Sequence, residues 1–299
     1  MGREFAEKNS DAMRIWKKAE HYSKLALREI YWDGDESAMT DTRALQPALT
    51  AANLCIWTEL AKKLKPACAA GHSLGEYSAL AAAGALSLDA VLELVALRGR
   101  LMAEADPLGK GSMAAILRLS RAEAEACVAA AQKSSGEMLL IANYNTPEQC
   151  VASGTKASIA VLQDTVREYG GRALPLAVSG AFHSPMMEEA AKEMESALRK
   201  ASWHAAKFPV YTNVAGKSAY DAEDLRKLLS RQMTSSVLWT DVIVSQWQGG
   251  VRRFVECGPK NVLTKMLQPI LKTLSPPPDT AAYCAVSVSS RKDMDIVSF

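Results

Sequence analysis

The sequence has little of several features that mark specialised classes of protein. Its six cysteines form no CxxC pair and no cluster with histidine, so neither a disulfide framework nor a zinc site is predicted. No apolar run approaches the roughly 20 residues of a membrane-spanning helix, and the polar N-terminus does not resemble a signal peptide. A formal charge of only +2 disfavours nucleic acid or a membrane surface as partner. The composition, 48% hydrophobic and 23% charged over 299 residues, is that of a globular protein, and we predict a cytoplasmic location.

Residues 109–179 contain an alternation of short apolar strands and capped helices. Ser120 and Glu123 have the spacing of a capping box, and Gly170-Gly171 follows a helical pattern as a stop signal. Together the segments read strand, helix, strand, strand, helix, strand. This order is typical of a ferredoxin-like βαββαβ unit, which predicts a small inserted subdomain.

Residues 1–108 and 180–299 have a different pattern, in which single apolar strands are each followed by long helices. This pattern predicts an α/β domain with a mainly parallel sheet. The predicted strands are PACAAG, FPVYTNV, RRFVECGP and AAYCAVSV. Such a domain usually begins with a strand, whereas this chain begins with a helical pattern, so we expect a first strand to be absent from it.

The stretch GHSLGEYSAL places Ser73 between two glycines, after an apolar run and before a run of helix formers. In a G-x-S-x-G nucleophile elbow this arrangement exposes the serine hydroxyl at the carboxyl end of a strand. The N–H of Leu74 then points to the place where an oxyanion forms. The alternative is a plain strand-to-helix turn. His72 is expected to be a packing residue, because neighbouring side chains at such a turn point apart.

A serine hydroxyl is a weak nucleophile and needs a base. His183 lies where a strand is predicted to end and where Ser184-Pro185 begins a helix. Such a junction lies at a sheet edge, the right place for a partner of Ser73. The alternative is a loop histidine with no role in the site.

Arg98 falls in the middle of the apolar stripe of a predicted helix, SLDAVLELVALRGRLMAEA. A guanidinium on a buried face is costly unless an acid or carbonyl groups meet it. No acidic residue of this helix lies three or four positions away on that face. Two interpretations stay open: a distant protein carboxylate pairs with Arg98, or a ligand carboxylate does.

The sequence resembles the malonyl-CoA:acyl carrier protein transacylases of fatty-acid synthesis and, more distantly, the acyltransferase domains of polyketide synthases. The similar stretches run in the family's order over nearly all of the chain. They are TRALQPALTAANL, GHSLGEYSALAAAGALS, ALRGRLM, GSMAAIL, ANYNTPEQCVASG, SGAFHSPMM, PVYTNV, RQMTSSVLWT and VECGPKNVLTKML. The resemblance implies an α/β-hydrolase-like fold with a ferredoxin-like insertion.

The resemblance also implies a mechanism. Ser73 would form the acyl ester, His183 would act as general base and acid, and Arg98 would hold the free carboxylate of malonyl. The backbone carbonyl of Gln232 would orient the histidine, and Leu74 would supply one oxyanion N–H. Malonyl-CoA would be the donor and the thiol of a phosphopantetheinylated acyl carrier protein the acceptor, with no metal and no permanently bound cofactor.

Three further residues are assigned through the resemblance alone. Phe182 matches the malonyl-type form of its motif, in which the ring crowds a substituent on the α carbon, and Asn213 and Gln46 would border the substrate. Two departures from the family pattern stand out: the Gly-Gln-Gly-Ser-Gln turn, whose glutamine gives a second oxyanion N–H, is missing, and Lys260 replaces a glycine.

Two rival functions are compatible with part of this pattern. A serine esterase or thioesterase shares the elbow and the base but gives no reason for Arg98. A non-catalytic binder of the carrier protein would follow if the missing strand prevents turnover. The length of the chain favours fatty-acid over polyketide synthesis.

Overall fold

A computed structural model describes residues 1–34 and 41–297 of the chain. The helices are α1 (Arg3–Lys8), α2 (Ser10–Ser23), α3 (Thr42–Leu60), α4 (Gly75–Ala82), α5 (Leu88–Glu104), α6 (Arg121–Ser135), α7 (Lys156–Glu168), α8 (Glu188–Lys200), α9 (Ala222–Ser230), α10 (Trp239–Gln248) and α11 (Val262–Leu271). The strands are β1 (Ala69–Ala70), β2 (Gly111–Leu117), β3 (Leu139–Thr146), β4 (Gln149–Thr155), β5 (Arg172–Pro175), β6 (Val210–Tyr211), β7 (Ser218–Ala219), β8 (Arg253–Cys257) and β9 (Cys284–Val288). The predicted mixed α/β class is confirmed.

Strands β2 to β5 form an antiparallel sheet in the order β3-β4-β2-β5, and α6 and α7 pack on it. The predicted capping box at Ser120 and Glu123 is present, and α7 ends two residues before Gly170, whose φ is 80°. The last strand of this unit, β5, is short and ends at Pro175. Pro175 has no N–H to donate, which suits the end of an edge strand.

The remaining strands lie in two separate sheets. β1 pairs in parallel with β6, which is extended by antiparallel β7, and β8 pairs in parallel with β9. The four predicted strands therefore form parallel pairs, but not within one continuous sheet. A cleft of about 820 Å³ is lined by residues of both β1 and β8.

In the largest apolar core, α3 and α5 pack against α4, and α2 packs against α3 and α5. Helices α3 and α5 approach closely at Gly99, where a Cβ atom would lie 2.6 Å from the carbonyl oxygen of Thr42. This close approach brings Gln46 of α3 next to Arg98 of α5. Within residues 1–34 and 41–297, none of the helices combines the length and the apolar character that crossing a membrane requires.

Candidate active site

Ser73 lies on the turn between β1 and α4, in a left-handed backbone conformation with φ of 48°. The turn is so tight that a Cβ atom on Gly71 would lie 2.0 Å from the carbonyl carbon of Gly75. Only glycine fits at position 71, whereas a Cβ atom at Gly75 would meet nothing within 4 Å. The N-terminus of α4 follows at once and favours negative charge near the serine.

The imidazole of His183 contacts the serine directly. Its Nε2 lies 2.8 Å from Ser73 Oγ, and its Nδ1 lies 3.0 Å from the backbone oxygen of Gln232. Because Nδ1–H donates to that carbonyl, Nε2 is left to accept the serine proton. Burial, followed by the nearby charge of Arg98, lowers the pKa of His183 to about 3. The ring is therefore neutral, as a general base must be.

The guanidinium of Arg98 is only 1% exposed and lies beside the nucleophile. Nη2 donates to Ser73 Oγ (3.0 Å) and to Gln232 Oε1 (3.2 Å), and Nη1 donates to Gln46 Oε1 (2.7 Å). Nε has no hydrogen-bond partner, and no carboxylate among the described residues forms an ion pair with this group. A buried cation whose hydrogen-bond acceptors are all neutral oxygens is suited to receive an anionic ligand.

Gln232 connects these three side chains. Its backbone oxygen accepts from His183, its Oε1 accepts from Arg98, and its Nε2 donates to the backbone oxygen of Ser73 at 3.0 Å. The same Nε2 donates to Glu76 Oε2 at 2.7 Å. Every polar atom of the side chain is thus used, which fixes the orientation of the amide.

Asn213 lies behind the elbow and is fully buried. Its Oδ1 accepts from the Ser73 N–H (2.6 Å), and its Nδ2 donates to the backbone oxygen of Gly71 (2.7 Å). Both ends of the amide are therefore occupied by the turn itself. This arrangement indicates a role in holding the elbow, and the substrate contact that the resemblance implies for Asn213 stays a prediction.

We expect Asn213→Ala to destabilise the protein, because two buried backbone groups lose their partners at about 1–3 kcal/mol each. Urea unfolding measures the loss, and steady-state kinetics should show a lower kcat with little change in the KM for the acyl donor. A stable variant with a strongly raised KM would contradict this role and would support the predicted substrate contact.

Comparison with known proteins places the chain in a family. The family model described as "Acyl transferase domain" matches residues 1–295. The chain belongs to the acyl transferase family. It is 36% identical to the malonyl CoA-acyl carrier protein transacylase of Bacillus subtilis (strain 168) over 280 residues, which cover 92% of this chain and 88% of that protein.

Solved structures of acyl transferases are also similar. An acyl carrier protein S-malonyltransferase from Vibrio cholerae O1 biovar eltor has 33% identity and a TM-score of 0.88, covering 98% of this chain and 93% of that one. A malonyl-transacylase in complex with its type II PKS acyl-carrier protein has 32% identity and a TM-score of 0.88, and the match covers 97% of this chain and 91% of that one.

Leu74 and Phe182, two further predicted site residues, are sequence neighbours of Ser73 and His183. Among the described groups, none accepts a hydrogen bond from the Leu74 N–H, which leaves that donor available to a ligand oxygen. Phe182 is buried directly before His183. His72 faces away from the serine, with Nε2 2.8 Å from Asn145 Oδ1 and its ring against Trp239, so the predicted packing role is confirmed.

Sequence reasoning missed Glu76, which the structure buries under the elbow with 1% exposure. Burial raises the pKa of this carboxyl to about 7. One signal could have found it: Glu76 is the sole charged residue of α4, GEYSALAA. No group of three or more metal-ligating side chains occurs among the residues that the structure describes.

Proposed function

We propose that the chain transfers the malonyl group of malonyl-CoA to the phosphopantetheine thiol of acyl carrier protein through an ester on Ser73. One observation carries the proposal: Ser73 Oγ lies 2.8 Å from His183 Nε2 and 3.0 Å from Arg98 Nη2. A nucleophile, its base and a buried cation thus meet at one atom. The names of the relatives, with and without a bound carrier protein, support the same substrate and acceptor.

In the first half-reaction His183 Nε2 takes the proton of Ser73 Oγ as that oxygen attacks the thioester carbonyl. The tetrahedral intermediate places its negative oxygen near the Leu74 N–H and the N-terminus of α4. As the intermediate collapses, the carbon–sulfur bond breaks, and the imidazolium gives its proton to the leaving sulfur of coenzyme A. Malonyl-Ser73 remains.

The second half-reaction reverses the first. The thiol of the carrier protein gives its proton to His183 and attacks the ester, and the proton returns to Ser73 Oγ as the ester bond breaks. The donor and the acceptor never occupy the site together, so we expect ping-pong kinetics. No metal or permanently bound cofactor is required.

Arg98 accounts for the preference for a diacid. Its Nε has no partner, and the Nη2–H that donates to Ser73 Oγ in the free protein can turn to a ligand, so that the two nitrogens hold a carboxylate in a two-pronged contact beside the ester. An esterase acting on simple acyl groups gains nothing from this cation, and a non-catalytic binder has no use for the Ser73–His183 contact. Both rivals are therefore disfavoured.

Brief exposure to malonyl-CoA should leave a malonyl group on the peptide that contains Ser73. Mass spectrometry of the digested protein detects this adduct, which adding the carrier protein should discharge as malonyl carrier protein. Ser73→Ala serves as the control and should carry none. An unlabelled Ser73 peptide from the intact protein, or discharge to water alone, would count against the transferase mechanism.

The arrangement of elements supports a finer description of the fold. We infer an α/β-hydrolase-like catalytic domain of residues 1–108 and 180–299, with residues 109–179 as a ferredoxin-like insertion. The order of β2 to β5 in their antiparallel sheet and a separate apolar core for that sheet support the division. Residues 35–40 and 298–299 of the larger domain lie outside the described residues.

The six free thiols support a cytoplasmic location.

A further inference from the structure

Glu76 is a buried carboxyl group for which the transfer mechanism has no role. It lies in the first turn of α4, three residues after the nucleophile, and its exposure is 1%. A carboxyl group is almost never fully buried unless it is paired, because the ionised form loses its hydration. Its partners therefore indicate what it does.

Two donors hold the same oxygen of this group. Glu76 Oε2 accepts from Gln232 Nε2 at 2.7 Å and from the Asn213 N–H at 3.2 Å. The other end of the Gln232 amide, Oε1, accepts from Arg98 Nη2. One amide thus stands between the carboxyl and the guanidinium, with its nitrogen towards the first and its oxygen towards the second.

We propose that Glu76 is a specificity-determining positioning residue. The Gln232 amide holds it behind Arg98, where its charge determines how strongly Arg98 attracts a substrate carboxylate. The inference rests on the proposed malonyl transfer, in which Arg98 binds that carboxylate. Glu76 acts through Gln232 and the local field and does not touch the substrate.

The charge of the site depends on whether Glu76 is ionised. With Glu76 ionised, Glu76 and Arg98 sum to zero, and an arriving carboxylate leaves a net negative charge in a buried site. With Glu76 protonated, the same carboxylate neutralises Arg98. Because charges interact strongly in the low-dielectric interior, the second arrangement binds the diacid more tightly.

Among the described titratable groups around this site, Glu76 is also the one whose pKa lies near neutral pH. Burial raises its pKa to about 7. Burial raises the pKa of Tyr77 on the same helix to about 12, and the pKa of His183 beyond Gln232 is lowered to about 3. Burial also lowers the pKa of His72 before the elbow. Arg98 on α5 remains charged throughout this range.

Linkage gives the sign of the effect. A substrate carboxylate beside Arg98 disfavours ionised Glu76, so binding raises the pKa of Glu76 and takes up a proton. Binding of malonyl-CoA must then weaken as the pH rises through about 7. Acetyl-CoA carries the same nucleotide and phosphates but no carboxylate, so its Kd should not show this pH dependence.

The experiment compares Ser73→Ala with Ser73→Ala/Glu76→Gln, which bind the thioesters without turning them over. Calorimetric titration gives the Kd of malonyl-CoA and of acetyl-CoA at several pH values, in two buffers of different ionisation enthalpy. In Ser73→Ala we expect the malonyl-to-acetyl Kd ratio to rise on the order of tenfold between about pH 6 and 8, with net proton uptake. In the double variant the ratio should stay low and constant, because glutamine mimics the protonated acid.

Glu256→Gln on the Ser73→Ala background is the matched control. Glu256 also accepts hydrogen bonds at a helix start, from the N–H groups of Leu263 and Thr264 in α11, and it should leave the pH dependence unchanged. The same pH dependence with and without Glu76 overturns the inference. If the double variant unfolds, absence of proton uptake by Ser73→Ala overturns it instead. Failure of the proposed function looks different: malonyl-CoA and acetyl-CoA then bind Ser73→Ala alike at every pH.

Discussion

His183→Ala should lower kcat for malonyl transfer by about 10²- to 10⁴-fold, the range that positioned acid–base groups contribute. The imidazole Nε2 lies 2.8 Å from Ser73 Oγ, and no second histidine contacts that oxygen among the described residues. Without it, the serine has no base for attack and the departing sulfur has no acid. Stopped-flow or discontinuous assays of malonyl transfer measure the loss, and Ser73→Ala gives the background rate without the nucleophile.

The pH dependence of folding provides a second readout for the same variant. The folded protein holds the pKa of His183 at about 3, below the unfolded value of about 6.5. The contribution of neutral His183 to the free energy of unfolding is therefore complete above about pH 6.5, and it is lost as the pH falls towards 3. His183→Ala should lose less stability than the parent over that interval in urea unfolding. Equal acid sensitivity, or near-normal kcat, would contradict the assignment.

The elements that depend on local sequence could be predicted. The capping box at Ser120 and the glycine at position 71 act on neighbouring backbone groups, so their spacing alone determines a helix start and a tight turn. The pairing of strands is not local: β1 meets β6 about 140 residues later, and β8 meets β9 instead of joining them. A sequence pattern indicates that strands exist but not which edges pair.

The site shows the same limit. Arg98 could be found because a cation interrupts an apolar stripe of one helix. The contact between Gln232 and the Ser73 carbonyl joins positions 159 residues apart, and the role of Glu76 depends on it. A glutamate in the first turn of a helix is ordinary in sequence, since it suits the helix dipole. Its place as the sole charged residue of α4 is a weak signal, and the burial of Glu76 beneath the elbow appears only in the structure.

Arg98→Met should lower kcat/KM for malonyl-CoA by the cost of removing one partner of a buried charge pair, about 2–5 kcal/mol or roughly 30- to 5,000-fold. The loss falls on the diacid alone, because acetyl-CoA has no carboxylate to lose. Parallel assays with both donors should therefore show the preference for malonyl reduced or abolished. The matched control is Arg100→Met: Arg100 lies two positions along α5 in exposed ion pairs with Glu104 and Glu193, and its removal should leave both rates unchanged.

Stability should change much less than activity. In the free protein Arg98 is buried without an ionic partner and with its Nε unpaired, and burial lowers its pKa, which means that folding disfavours the charge. Arg98→Met removes this desolvated charge, which stabilises the fold, but it also leaves the buried side-chain oxygens of Gln46 and Gln232 without their donor, at about 1–3 kcal/mol each. Because the two effects oppose each other, the thermal midpoint of Arg98→Met should stay close to that of the parent. A much lower midpoint together with an unchanged malonyl preference would mean that Arg98 serves the fold, and that another group recognises the diacid.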